Sequence, residues 1–445
     1  MIQTVLIANR GEIALRVIRA CRELGLRTIA VHSDIDSDAL HVRFADEAVC
    51  IGPGPARLSY LNIPSIIAAA EVTGADAIHP GYGFLSENPE FADICQRCGL
   101  TFIGPTAHSM RQWGDKVQAR AYAKRLGLPL MEGSEVLRSV EHAAAEAERI
   151  HYPVMMKASA GGGGRGMKIL RDKSALERVF LQAQSEALAA FGNGDLYLER
   201  FVEEPRHIEF QVLCDGRGAA LVLGERECSI QRRHQKLVEE APSVAVSHEL
   251  RADMAATIAR AMRESEYVSA GTLEFLMDER GNLSFMEMNT RIQVEHPVTE
   301  MVTGIDLVAE QIRIAQGKPI RFPQRPVAAR GHAIECRINA ECPMRDIPWP
   351  GLIAEYHPPG GAGIRVDSGV FGGWRVPSEY DSLMLKVIAH GPDREAAIAR
   401  MRRALSETII SGIRSNVTLH ERILAHPDFQ SGAFSTRFIE RLQRA

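Results

Sequence analysis

No run of about 18 apolar residues occurs in the 445-residue sequence, so no segment reads as a membrane-spanning helix. A basic excess is missing too: 52 Lys and Arg stand against 56 Asp and Glu, a net charge of −4. That balance argues against nucleic acid or a membrane surface as partner. Cysteines are few and scattered: Cys21, Cys50, Cys95, Cys98, Cys214, Cys228, Cys336 and Cys342. Cys95 and Cys98 form a CxxC, but no second pair follows at zinc-ribbon spacing. Met1 leads straight into Ile-Gln-Thr-Val-Leu with no secretory pattern, so reduced thiols in the cytoplasm are expected. There is no internal repeat, no low-complexity tail and no GxxxxGK[ST] loop. What is present is an average globular composition, 45% hydrophobic and 24% charged. The length suits two or three domains of about 150 residues each.

The first hundred residues alternate strands and helices. Val5–Ala8, Thr28–Val31, Ala75–Ile78 and Leu100–Ile103 read as strands. Helices are expected at Glu12–Leu24, Asn62–Glu71 and Glu90–Arg97. This order predicts a parallel, doubly wound sheet with ligands at the carboxyl ends of its strands. Those ends carry Asn9-Arg10-Gly11 and the run His79–Ser86. From about residue 114 the pattern becomes α+β, with helices at Lys116–Leu126, Glu141–Ile150 and Leu250–Met262. Strands there are expected at Pro153–Lys157, Met167–Leu170, Glu209–Leu213, Ala219–Leu223, Gly271–Leu276 and Leu283–Met288, paired antiparallel. A third region opens near Arg330, is rich in Gly and Pro, and ends in two helical stretches. The expected domains are 1–113, 114–329 with a lid at about 130–203, and 330–445.

Gly161, Gly163 and Gly166 satisfy GxGxxG, yet Met167–Leu170 after them reads as a strand rather than a helix. A dinucleotide fingerprint is therefore disfavoured. A glycine-rich hairpin remains, whose bare backbone amides can approach a polyphosphate, with Lys157 beside it. The alternative is a solvated loop with no ligand.

In Glu287-Met-Asn-Thr-Arg-Ile-Gln-Val-Glu295, polar residues hold every second position. Extended backbone would put Glu287, Asn289, Arg291, Gln293 and Glu295 on one face, with Met288, Ile292 and Val294 facing a core. Glu274 lies on a probable partner strand. Two carboxylates and an amide suit a hard, oxygen-liking cation such as Mg²⁺. An ordinary solvated strand face is the alternative; Arg291 and Gln293, set among the acids, favour a metal and anion site. Gln231-Arg-Arg-His-Gln-Lys236 has no aromatic interleaving and reads as a local anion site.

Together these motifs resemble the biotin carboxylases, the ATP-grasp components of biotin-dependent carboxylases. The resemblance covers essentially the whole chain. It rests on Ile7–Ala14, His79–Asn88, the glycine loop, Gln231–Lys236, Glu287–Glu300 and Glu335–Glu341. It implies an N-terminal doubly wound domain, an ATP-grasp domain with a glycine-rich lid, and a C-terminal biotin-carboxylase domain. The implied reactants are ATP, Mg²⁺ or Mn²⁺, bicarbonate and biotin carried on a separate protein. Lys116 and Lys157 match phosphate-binding lysines, and Gly163 and Gly164 the lid. Glu199, Arg200, Phe201 and Val202 match the adenine hinge, and His207, Gln231 and His234 further nucleotide contacts. Glu274, Glu287 and Asn289 match metal ligands. Lys236, Arg291, Gln293 and Val294 match the bicarbonate pocket, Glu295 the general base, and Tyr82 and Arg337 the biotin side. Arg337 could instead form a surface pair with Glu335.

No Ala-Met-Lys-Met biotinylation site is visible, so a biotin carboxyl carrier and carboxyltransferase subunits are the expected partners. The expected assembly is acetyl-CoA carboxylase; another acyl-CoA, pyruvate or urea carboxylase is the alternative, as is a nucleotide-binding regulatory paralogue. Arg19 and Glu23 match interface residues of a homodimer, whereas Ala362 stands where bacterial relatives often carry phenylalanine. Other departures are Ala160 in the loop, Arg200 in the hinge, Cys342 for an aspartate, and Ile347-Pro-Trp-Pro-Gly351.

Overall fold

In the computed structural model, which describes residues 2–159, 167–323, 327–343 and 347–444, the first apolar run forms β1 (Thr4–Ile7), wholly buried. It lies at the centre of a parallel sheet with β2 (Arg27–Ser33), β3 (Glu47–Gly52), β4 (Ala77–His79) and β5 (Thr101–Phe102). The order is β3-β2-β1-β4-β5, a doubly wound arrangement as the alternation predicts. β3 has no counterpart in the sequence reading. It is a half-exposed edge strand, and edges lack the apolar run that marks a central strand.

Helix starts follow their caps. The Asn62 side chain accepts from Ser65 N, and the Asn88 side chain from Phe91 N, each ahead of a proline in the first turn. The helices therefore run Ile63–Thr73 and Pro89–Arg97, within two residues of expectation at each end. At the carboxyl end of β4, Asn9 donates to Pro80 O and Tyr82 O, both at 2.7 Å. Gly81 (φ +63) passes so close that a Cβ there would lie 2.9 Å from Asn9 Nδ2. This turn fixes where Tyr82 begins.

β6 (Val154–Ala158), β7 (Met167–Leu170) and β8 (Leu196–Arg200) form a small antiparallel sheet ordered β7-β6-β8. The helices Val140–Ile150 and Leu176–Phe191 cover it with a separate apolar core. The β6–β7 hairpin is as expected; Gly163 and Gly164 lie outside the described residues.

The large sheet comprises β9 (Arg206–Asp215), β10 (Ala220–Arg232), β11 (Gln235–Ala241), β12 (Val268–Met277), β13 (Leu283–Asn289) and β14 (His332–Asn339). The strands Leu383–Gly391 and Ile364–Ser368 complete it. Its order is β13-β12-β9-β10-β11-β14 and then those two, antiparallel throughout. Arg233 and His234 turn the β10–β11 hairpin with φ of 50° and 65°, the two positive values of a type I′ turn. Among the described residues no helix is long and apolar enough to cross a membrane.

Two expectations need correction. The polar run does not stay extended to Glu295: β13 stops at Asn289, and a helix begins at His296 with Pro297 in its first turn. The reason is local. The Glu87 carboxylate takes the Thr290 amide (2.9 Å), so that amide does not continue the ladder, and the chain bends. The C-terminal region also carries four described helices, not two: Arg394–Glu407, Val417–Ala425, Pro427–Ser431 and Phe438–Arg444. Pro427 and Gly432 (φ +78) break what apolar periodicity alone would join.

Candidate active site

Register across the large sheet sets a row of charges side by side. Glu287 on β13 faces Glu274 on β12, Glu274 faces Glu209 on β9, and Glu209 faces Arg226 on β10. Arg226 is fully buried and donates to Glu209 at 2.5 Å. Lys236, from the start of β11, reaches over this row. Its Nζ lies 2.5 Å from Glu209, 3.1 Å from Glu274 and 2.6 Å from Glu295.

The bent segment after β13 folds its polar side chains back onto the same place. Asn289 Nδ2 donates to Glu274 at 2.8 Å and Gln293 Nε2 at 3.1 Å. Arg291 donates to Asn289 Oδ1 and Gln293 Oε1, each at 2.9 Å, and to Glu87 at 2.8 Å. The five polar residues converge as the sequence suggests, through a bend rather than along one strand face.

Glu295 is fully buried between two cations, with Arg337 Nη2 2.8 Å away on the side opposite Lys236. Burial alone would push its carboxyl up; Lys236, Arg337 and Arg226 outweigh that and hold it well below the usual range. Arg337 also donates to Glu239 at 2.5 Å. Glu239, pushed up to about 7 by burial with help from Glu295, resists ionisation despite that arginine. The surface pair with Glu335 is therefore not what Arg337 forms. Glu335 is buried, has no hydrogen-bond partner among the described residues, and is driven well above the carboxylate range by that burial.

At the other end of the row, Lys116 Nζ lies 3.3 Å from Glu287, while Lys157 and Arg120 both bind Glu199. His207 Nε2 is 2.9 Å from Glu274, and Gln231 is 2.6 Å from the other ring nitrogen of His207. Arg200 lies 3.9 Å from Asp278, and Phe201 N donates to Pro153 O. His234 is exposed at the hairpin tip and is not drawn into the cluster. The paired carboxylates of Glu274 and Glu287 are what a hard divalent cation takes, and Asn289 lies beside them with its amide nitrogen on Glu274 and its oxygen on Arg291. His207, Glu209 and Glu274 also bring ligand atoms within 4.8 Å of one another.

Three family models match this chain: "Biotin carboxylase, N-terminal domain" over residues 1–110, "Carbamoyl-phosphate synthase L chain, ATP binding domain" over 115–322, and "Biotin carboxylase C-terminal domain" over 335–441. The biotin carboxylase of Haemophilus influenzae is 55% identical over 443 residues, 99% of each chain. The chain belongs to the biotin carboxylase family. Among solved structures, the biotin carboxylase domain of Hydrogenobacter thermophilus 2-oxoglutarate carboxylase, in complex with MgADP, ADP and bicarbonate, aligns with TM-score 0.92 and 50% identity. That match covers 99% of this chain and 98% of the other. Rhizobium etli pyruvate carboxylase aligns with TM-score 0.90 at 46% identity, over 99% of this chain and 40% of that longer one.

As a biotin carboxylase the chain is an ATP-grasp ligase. Several residues of its site were not singled out by sequence: Glu209, Arg226, Glu239, Arg120 and Glu87. One signal existed, a glutamate inside the apolar run Ile208-Glu-Phe-Gln-Val212, where a charge is costly unless paired. Tyr82, expected on the biotin side, donates its hydroxyl to Glu12 and lies close enough to Arg337 and Glu335 to feel both charges.

Proposed function

We propose that this biotin carboxylase carboxylates carrier-bound biotin with bicarbonate at the expense of ATP, using the residues gathered around Lys236. The observation that carries this reading is that one ammonium bridges Glu274, beside the candidate metal ligands, and Glu295, beside Arg337. Phosphoryl transfer and biotin chemistry then share a single cationic centre.

Glu274, Glu287 and Asn289 would hold Mg²⁺ or Mn²⁺, which when bound neutralises charge on the transferred phosphoryl group. Lys116 and Lys157 supply further positive charge there, with Gly163 and Gly164 closing over the phosphates. Residues 199–202, His207, Gln231 and His234 contact the nucleotide. Bicarbonate sits between Lys236, Arg291, Gln293 and Val294. In the free protein Lys236 and Arg337 spend their charge on Glu295. Once an anion takes those cations, Glu295 loses its stabilisation and its basicity rises, as a general base needs. It removes the bicarbonate proton as the oxygen attacks the terminal phosphorus and ADP leaves. Carboxyphosphate then yields CO₂ and phosphate. The phosphate accepts the ureido proton, and Arg337 and Tyr82 hold the biotin side while the N–C bond forms.

The reading extends to a cytoplasmic homodimer that works with a biotin carboxyl carrier and carboxyltransferase subunits, as part of acetyl-CoA carboxylase. Its domains are 1–113, 114–329 and 330–445. The 2-oxoglutarate carboxylase neighbour makes the acceptor worth testing directly. ATP cleavage by the purified chain should require bicarbonate and rise on adding free biotin; ATP cleavage indifferent to both refutes the reading. Co-purifying subunits, assayed with acetyl-CoA, pyruvate and 2-oxoglutarate, decide the acceptor.

A further inference from the structure

We infer that Lys386 is a positioning residue for the bicarbonate and biotin side of the site, holding the Val294 carbonyl and, through Glu12, the Tyr82 hydroxyl. The inference rests on the reading of the site proposed above. Lys386 lies on the strand Leu383–Gly391, directly opposite Arg337 of β14 in the ladder, so both side chains leave the same face. These neighbours grip consecutive residues of the bent segment. Arg337 binds the Glu295 carboxylate at 2.8 Å, and Lys386 Nζ donates to the Val294 carbonyl at 2.7 Å.

The same ammonium lies 3.1 Å from Glu12 Oε1 and 4.0 Å from Asp367 Oδ2. Glu12 in turn accepts the Tyr82 hydroxyl. Lys386 is fully buried, and burial opposes its charge, but Glu12, Glu335 and Asp367 outweigh that and keep it protonated. A buried ammonium is costly unless its donors are used. Here they join three separate parts of the chain: the first helix (Gly11–Glu23), the Val294 turn and the C-terminal strands. Among the described residues, the hydrogen bond and ion pairs of Lys386 go to Val294, Glu12 and Asp367 and to none of the groups read as nucleotide or metal contacts. Its loss should displace the Val294–Glu295 turn and Tyr82 while sparing nucleotide binding.

The test compares Lys386→Met, Lys386→Arg and wild type, using free biotin, bicarbonate and MgATP with the full chain. Lys386→Met should lower kcat/KM for bicarbonate and for biotin by about 10²-fold, the scale of a 1 Å misplacement in a site. Nucleotide affinity, read by calorimetry, should stay within about twofold, and Lys386→Arg should recover part of the loss by restoring a donor. Equal loss of nucleotide affinity, or unmoved kcat/KM for both substrates, overturns the inference. Should Lys386→Met fail to fold, Glu12→Gln carries the test. It should cut biotin-dependent turnover far more than biotin-independent ATP cleavage, and equal effects overturn the inference. A wild type that does not carboxylate biotin strikes the reading of the site; an active wild type with unmoved variants strikes only the role of Lys386.

Discussion

Glu274 and Glu287 face each other in register across β12 and β13, yet each keeps a different cation. Glu274 lies 3.1 Å from Lys236, and Glu287 lies 3.3 Å from Lys116. Glu274 is buried, whereas Glu287 is 37% exposed, so the pair presents one inner and one outer carboxylate. Glu287→Gln keeps the volume and removes the outer charge. It should raise the Mg²⁺ concentration needed for half-maximal turnover and slow the reaction. An unchanged Mg²⁺ titration would move the metal elsewhere.

Glu295→Gln should behave otherwise. The side chain is fully buried among Lys236 and Arg337 and touches none of the candidate nucleotide lysines, Lys116 and Lys157. Bicarbonate-dependent ATP cleavage should fall by about 10²–10⁴-fold, the usual loss for a general base. Nucleotide affinity should stay near that of the wild type. Retained turnover would remove the base assignment.

Arg337→Gln separates the half-reactions. Carboxybiotin formation should drop by about 10²-fold or more, as when one donor to a developing oxyanion is lost. Slow bicarbonate-dependent ATP cleavage without biotin should suffer much less, because Lys236 still holds Glu295. Equal loss of both activities places Arg337 in phosphoryl transfer or in folding.

Glu239 offers a test by pH. Its carboxyl is pushed up to about 7 in the fold, against about 4.3 in an unfolded chain. Between those values the unfolded chain releases a proton that the folded one keeps. This group's contribution to stability therefore falls as pH rises through the window, then levels off. Glu239→Gln removes that component. Denaturation midpoints at pH 5, 6, 7 and 8 should show variant stability minus wild-type stability rising to about pH 7 and flat beyond. A difference that does not change with pH would mean that Glu239 is ionised throughout.

The parallel sheet was legible because central strands announce themselves as apolar runs between helices, and the caps at Asn62 and Asn88 stood in the sequence. Glu287 and Asn289 were visible as candidate metal ligands because strand alternation is local, and Glu274 because a carboxylate stands there among apolar neighbours. What alternation does not contain is a partner 203 residues away, so the bend at Thr290, made by Glu87, could not be foreseen. Glu209, Arg226 and Glu239 stayed hidden for a related reason. Their meaning depends on which strands lie side by side, and the order β12-β9-β10-β11-β14 is not the order of the chain.

That strand order has a consequence for how the protein can fail. Glu287, Glu274 and Glu209 meet only because three strands are aligned to the residue. A slip of one position would turn every side chain of a strand to the opposite face while leaving a hydrogen-bonded sheet. A misaligned molecule could thus keep its secondary structure and lose its chemistry altogether. Irregular steps in the ladder, at Glu274/Phe275 and between Val222 and Glu225, sit beside the charged row and bar such slippage. Alignment here is a catalytic parameter, and circular dichroism alone would pass an inert protein as native.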